Sequence, residues 1–152
     1  MTPVSIRPIT VAEVQAAPGI DALLAEYAAE SATNGMGQAI PQWPIYQAME
    51  AAGFCHILGA ECDGKLVGLL VMMCAVLPHY GQLTATSESY FVAAEHRKTG
   101  AGLALFREAK RVAQGLGCAG LFISAPVGGR LTDVMAGLGM RHTNDVFFVG
   151  LA

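Results

Sequence analysis

Charge is scarce in this sequence. Asp, Glu, Lys and Arg make up 14% of its 152 residues, where about 25% is usual for a soluble protein. A net charge of −3 with a pI near 5.7 argues against a protein built to coat nucleic acid. Long apolar runs are missing too. The longest, Leu66 to Leu77, has twelve residues and is closed by Pro78. A spanning helix needs about 20, so the run reads as a buried strand and no membrane segment is expected. The N-terminus lacks the basic stretch and apolar block of a signal peptide, which makes the cytoplasm the expected compartment. Cys55, Cys62, Cys74 and Cys118 form no Cys-x-x-Cys pair. Each lies in an apolar stretch and reads as a small core residue in a reducing compartment. His56, His79, His96 and His142 form no ligand pair four residues apart, so no metal is expected.

What is present suits one folded domain spanning residues 1–152. Apolar residues reach 53%, which excludes disorder, and the length is near the mode for a single domain. No repeat, low-complexity tract or linker interrupts it. The charges are unevenly placed. Residues 1–80 carry two basic and seven acidic side chains, and residues 81–152 carry seven basic and five acidic. A positive-leaning half inside an acidic protein points to a local anion site. Acids that merely solvate N-terminal helices would give the same count.

The pattern of elements is α/β. Val4–Arg7 reads as a strand ended by Pro8, and Thr10 can cap a helical turn from Val11. Asp21 opens a helix with Leu23, Leu24, Tyr27 and Ala28 at helical spacing. Pro44 fits the first turn of a short helix ending near Gly53. Phe54–Cys62 and Lys65–Val76 flank Asp63-Gly64, a hairpin signal. Thr84–Val92 is a further strand and residues 93–99 a polar loop. Ala101–Leu116 is the best helix, with Leu103, Phe106, Ala109, Val112, Ala113 and Leu116 on one face. Leu121–Ser124 reads as a strand, Leu131–Leu138 as a helix and Val146–Val149 as a last strand. Hairpins followed by helical crossovers imply a mixed sheet.

Two motif matches fail on context. Gly115-Leu116-Gly117-Cys118-Ala119-Gly120 fits the dinucleotide fingerprint, but it closes a helix and leads into a strand, the reverse of what a pyrophosphate site needs. Gly59 to Lys65 fits most of a P-loop, but Leu66 follows where a hydroxyl should hold Mg²⁺, and the segment is a hairpin turn.

The stretch that carries chemistry is Val92 to Leu103. A strand ends, a basic loop turns, and Gly100 and Gly102 lie at the start of the best helix. Unpaired amides at a helix N-terminus bind anions. The two glycines remove side chains that would hold a phosphate off the backbone, and Arg97 and Lys98 add positive charge. The stretch reads as a diphosphate cradle; a plain strand-to-helix turn with glycines for close packing is the alternative.

This segment resembles the GNAT superfamily of acyl-CoA N-acyltransferases, whose motif Gln/Arg-x-x-Gly-x-Gly/Ala is met as Arg97-x-x-Gly100-x-Gly102. The upstream hairpin, the long helix after the motif and the ending Leu138-Gly139-Met140 are similar in order, and there is a looser similarity to phage- and prophage-encoded members. The resemblance implies a mostly antiparallel sheet with helices on both faces, splayed between the fourth and fifth strands. It implies acetyl-CoA as acyl donor, with its diphosphate on the amides of Arg97, Lys98, Thr99, Gly100, Ala101, Gly102 and Leu103. Its pantetheine arm would pair with the backbone of Phe91 and Val92. The thioester carbonyl would be polarised by an amide near Val92, and a bound neutral amine would attack directly.

For the base, Glu88 is the first candidate. It is the one acid on Thr84–Val92, and period-two alternation places it on a face with Thr86, Tyr90 and Val92. The family often puts a glutamate on this strand; an exposed or structurally bonded acid is the alternative. His79 and Tyr80, just before the strand, are further catalytic candidates through a loop that could reach the cleft. Two family features are absent: Met135 stands where a tyrosine often serves as acid, and Gly128 where an asparagine is frequent. If a phenol is needed, Tyr80 or Tyr90 must supply it. The expected function is acetyl transfer from acetyl-CoA to a primary amine of a small molecule, peptide or protein. The rivals are a non-catalytic acyl-CoA-binding module and an interaction protein that kept the fold. With so little charge on a small domain, a homodimer is expected, using the Val146–Val149 strand unless Phe147 and Phe148 are both buried within one protomer.

Overall fold

The computed structural model describes residues 2–33 and 35–151. Its elements run β1 (Ser5–Ile9), α1 (Val11–Ala16), α2 (Ile20–Ser31), α3 (Trp43–Ala51), β2 (Cys55–Cys62), β3 (Lys65–Leu77), β4 (Gln82–Val92), a 3₁₀ helix (Ala94–Thr99), α4 (Ala101–Gly115), β5 (Gly120–Phe122) and α5 (Arg130–Gly137). The sheet order is β1-β2-β3-β4-β5. The first four strands are antiparallel to their neighbours, and β5 runs parallel to β4. This is the expected α/β architecture with a mixed, mostly antiparallel sheet.

Local chemistry explains the boundaries. Pro8 does not end β1: the strand continues to Ile9, because β1 is an edge and pairs with β2 alone, so a missing N–H can face outward. Thr10 then starts α1 with a reciprocal cap. Its hydroxyl accepts the Glu13 amide at 3.1 Å, and Glu13 accepts the Thr10 amide at 2.8 Å. The β2–β3 turn places Asp63 and Gly64 at φ 51° and 74°, the left-handed pair that matches strand twist.

The sheet is buried on both faces. Ile57, Leu69, Val71 and Phe91 pack under α1 and α2, with Tyr46 and Met49 of α3 against them. Leu58, Leu70, Met72, Ala85 and Val92 pack under α4. Two-sided burial is why the β3 sequence is apolar without alternation. Helix α4 turns a slightly different face inward than its spacing predicts. Leu105 is fully buried among Ala101, Ala109 and Ala113, whereas Leu116 is 40% exposed. The small residues let the helix approach closely, and that rotates Leu105 to the centre of the contact. Residues 93–99 form a 3₁₀ helix rather than a loop.

The expected strand over Val146–Val149 is not formed. These residues carry no regular structure, and Phe147 is 90% exposed and Phe148 51%. Propensity alone does not make a strand; a strand needs an edge to pair with, and β5 offers three residues. The alternative in which both phenylalanines are buried within one protomer is likewise not what the structure shows.

Candidate active site

The site begins with an irregularity in β4. Val71 of β3 pairs with Ser89 and its neighbour Met72 pairs with Ser87. Glu88 is the extra residue of a β-bulge, and a bulge reverses the alternation beyond it. Thr86 pairs with Met73 and lies on the α2–α3 face, whereas Tyr90 and Val92 pack on the α4 face. The expected shared face of Glu88, Thr86, Tyr90 and Val92 is therefore split. Glu88 stands with Thr86 on the α2–α3 side, where its carboxylate accepts a hydrogen bond from the Tyr46 hydroxyl at 2.7 Å and one from the Ser89 hydroxyl at 2.6 Å. Burial pushes the Tyr46 phenol well above its usual range, and Glu88 beside it adds to the shift. Tyr46 thus stays a donor at any working pH.

Glu88 is exposed to a cavity of about 420 Å³ between α2, the segment leading to α3, and β4. Its walls include Leu23, Leu24, Tyr27, Ile40, Leu69 and Phe91. A second cavity of about 290 Å³ shares Glu88 and Tyr46 and runs over Ile45, Met49 and Met73.

On its other edge β4 parts from β5. The ladder covers Thr84–Thr86 with Gly120–Phe122, and the Ser124 amide still reaches the Ser87 hydroxyl at 2.9 Å. The Ala93 amide donates to the Val67 carbonyl on β3 at 2.9 Å. Backbone groups of an antiparallel strand alternate in direction, so Phe91 also turns its main chain toward β3, and Val92 turns its amide to the side that β5 has left. Phe91 enters the site through its ring instead, lining the larger cavity.

Beyond Val92 the chain winds through the 3₁₀ helix into α4. Gly100 links them at φ 86°, a conformation that favours glycine. The first bond within α4 runs from the Ala104 amide to the Gly100 carbonyl at 3.0 Å. The Gly102 and Leu103 amides precede it, in the turn where helix amides lack partners. The Ala101 amide is met by the Thr99 hydroxyl at 3.3 Å. A Cβ on Gly102 would meet nothing nearer than the Tyr90 hydroxyl and Val92 Cγ2, both at 3.9 Å. Packing inside the chain does not demand a glycine there, and the open space over the helix end could admit an anion. Lys98 is exposed and makes no ion pair among the described residues. These residues fit a diphosphate.

Arg97 points elsewhere. Its guanidinium donates to both carboxylate oxygens of Glu30 at 2.8 and 2.7 Å and, through Nε, to the Val92 carbonyl at 2.9 Å. It also stacks over the Phe91 ring, 5.2 Å from the centroid, and that ring meets Tyr27 edge-on. Glu26 accepts the Ala94 amide at 2.7 Å. The basic turn is thereby clamped to α2, which walls the cavity.

His79 and Tyr80 stack on each other in the turn between β3 and β4 and line neither cavity. Gln82 starts β4 six residues before Glu88, about 20 Å at strand rise, so the structure does not bring the pair to Glu88. Tyr90 donates to the Gly102 carbonyl, and burial raises its phenol to about 12. Met135 is buried, and Gly128 has φ 66°. The sequence does not point to Tyr46: its partner is 42 residues away, and no local pattern marks such a contact. Among the described residues no cluster of three or more His, Cys, Asp or Glu is placed to hold a metal, and no helix is long and apolar enough to cross a membrane.

No curated protein matches the sequence. Among solved structures, a ribosomal-protein-alanine N-acetyltransferase from Brucella melitensis biovar Abortus is similar at 20% identity and TM-score 0.71, with 96% of each chain covered. An aminoglycoside acetyltransferase from an uncultured soil metagenomic sample is 19% identical, with TM-score 0.75 over 98% of this chain and 99% of that one. Another from the same kind of source, solved with sisomicin, is 15% identical, with TM-score 0.76 over 98% and 97%. At these identities the likeness concerns the fold. A family model, that of the acetyltransferase (GNAT) family, matches residues 20–128, most of the chain and all of the site from Glu26 to Gly128. The chain belongs to the acetyltransferase (GNAT) family.

Proposed function

We propose that the protein is an N-acetyltransferase that moves an acetyl group from acetyl-CoA to a primary amine in a ternary complex. The observation that carries it is the arrangement of β4. A carboxylate at the bulge faces a cavity, and four residues on, the Val92 amide faces the gap left by β5. Bound acetyl-CoA supplies a thioester carbonyl as the electrophile. The Gly102 and Leu103 amides, with Lys98, would hold its diphosphate at the positive end of α4. The Val92 amide would donate to the carbonyl oxygen. Glu88 would accept the proton that an ammonium must lose before its nitrogen can attack, directly or through one water. Tyr46 and Ser89 fix the carboxylate by hydrogen bonds that leave lone pairs on both oxygens.

Acetyl-CoA should raise the melting temperature by linkage, and an amine should release free CoA thiol. Gly100→Asp places bulk and negative charge at the cradle and should abolish the thermal shift; an unchanged shift in a folded variant refutes the cradle. Met135, where a tyrosine often serves in the family, favours a second reading as a non-catalytic acyl-CoA-binding protein. That reading predicts the thermal shift without thiol release. The free cysteines and the exposed apolar segment from Val146 to Val149 support a cytoplasmic homodimer as the working form.

A further inference from the structure

We infer that the acceptor is a small amine bearing one positive charge on an apolar body, and not a polycation. The inference rests on the acetyltransferase reading and assigns the substrate class of that site.

The acidic surplus of the N-terminal half looks, as a count, like a surface for cationic acceptors. The structure accounts for most of it internally. Glu13 and Glu61 pair with Arg7. Glu50 accepts the Val11 amide at 2.8 Å, Glu26 accepts the Ala94 amide, and Glu30 holds Arg97. None of these five, nor Asp21 or Asp63, lines either cavity. Among the described residues that line them, Glu88 is the one charged side chain. It stands where the two cavities meet, so an ammonium bound to it has apolar walls on both sides.

The remaining polar groups reinforce this. Hydroxyls of Ser31, Thr33 and Ser89 and the Gln38 amide line the larger cavity. They can hydrogen-bond a substrate, but they do not neutralise a second ammonium. A polyamine or aminoglycoside would set further charges against the buried Leu23 and Leu69 or leave them without a partner at the rim, and an unpaired cation against a buried apolar wall is costly. An aryl or alkyl body gains by burying its apolar surface there. The sisomicin-bound relative shares this chain's fold; the cavity walls differ in kind from what a polycationic sugar requires.

The test is acetyl-CoA-dependent thiol release with phenethylamine, hexylamine, spermidine and sisomicin, together with the thermal shift caused by acetyl-CoA alone. The expected result is kcat/KM for phenethylamine or hexylamine at least tenfold above that for spermidine or sisomicin. Ile40 is exposed and lines both cavities, so Ile40→Glu adds a second carboxylate without disturbing the core. It should raise the ratio of spermidine to phenethylamine turnover about tenfold. Equal or faster turnover of the polycations, or an unchanged ratio in Ile40→Glu, overturns the assignment while leaving acetyl transfer intact. Thermal stabilisation by acetyl-CoA with no release from any amine overturns both.

Discussion

The Tyr46 hydroxyl donates to Glu88 Oε1 at 2.7 Å and joins α3 to the bulge of β4. A neutral donor holds the carboxylate in place without cancelling its charge, and an ammonium at the cavity mouth still meets a full anion.

If Glu88 is the general base, Glu88→Gln lowers kcat on the order of 10²-fold with acetyl-CoA affinity unchanged. The acidic limb of the pH–rate profile disappears with it. Tyr46→Phe removes only the positioning bond and should cost about fivefold in kcat while the limb remains. Steady-state kinetics across pH separate the two effects. A Glu88→Gln enzyme with near wild-type rate places the base elsewhere.

Gly102→Ala should divide stability from binding. Its Cβ has room within the chain, and alanine favours a helix by up to about 1 kcal/mol over glycine. The denaturation midpoint should hold or rise. The same methyl group stands over the helix end and should weaken acetyl-CoA binding about tenfold or more. Calorimetric titration with chemical denaturation checks both; a variant that binds normally shows that the diphosphate lies elsewhere.

Stability should decline in alkali. Burial raises the Cys55 thiol from an ordinary value of 9.0 to about 11, and burial beside Cys118 raises Cys74. The folded state then keeps protons that the unfolded chain has released. The contribution is complete below about 9 and is lost as pH rises toward 11. Urea midpoints should fall between about pH 8 and pH 10.5, and the fall should be smaller in Cys55→Ala. Equal falls in both proteins would remove Cys55 from the account.

Light scattering at micromolar concentration tests the homodimer. A mass near 15.8 kDa refutes it. A doubled mass that Phe147→Asp reduces in a folded protein supports it. Phe147 is the informative choice because it is 90% exposed, so the substitution costs a monomer little.

Much of this architecture could be read from residue order. Asp63-Gly64 specified its hairpin, and Gly100 marked the start of α4, because both depend on neighbours in sequence. The rest depended on contacts across the chain. The motif sets the positive charge of Arg97 beside the helix start, but its guanidinium is held by Glu30, 67 residues earlier, and by the Phe91 ring. Period-two alternation puts Glu88 on a face with Tyr90 and Val92 because it assumes a regular strand, and one unpaired residue inverts it. Val146–Val149 has the composition of a strand and pairs with neither edge of the sheet.

The bulge also makes the carboxylate a matter of chain length. Without Glu88, Ser87 and Ser89 would be consecutive and still oppose Met72 and Val71 in a regular ladder. The residue is an insertion that the sheet does not need, and its loss by deletion would leave the pairing intact while removing the acid. A one-residue deletion here would take away the carboxylate, its bonds to Tyr46 and Ser89 and the bulge together, whereas a substitution keeps the bulge and changes the side chain alone.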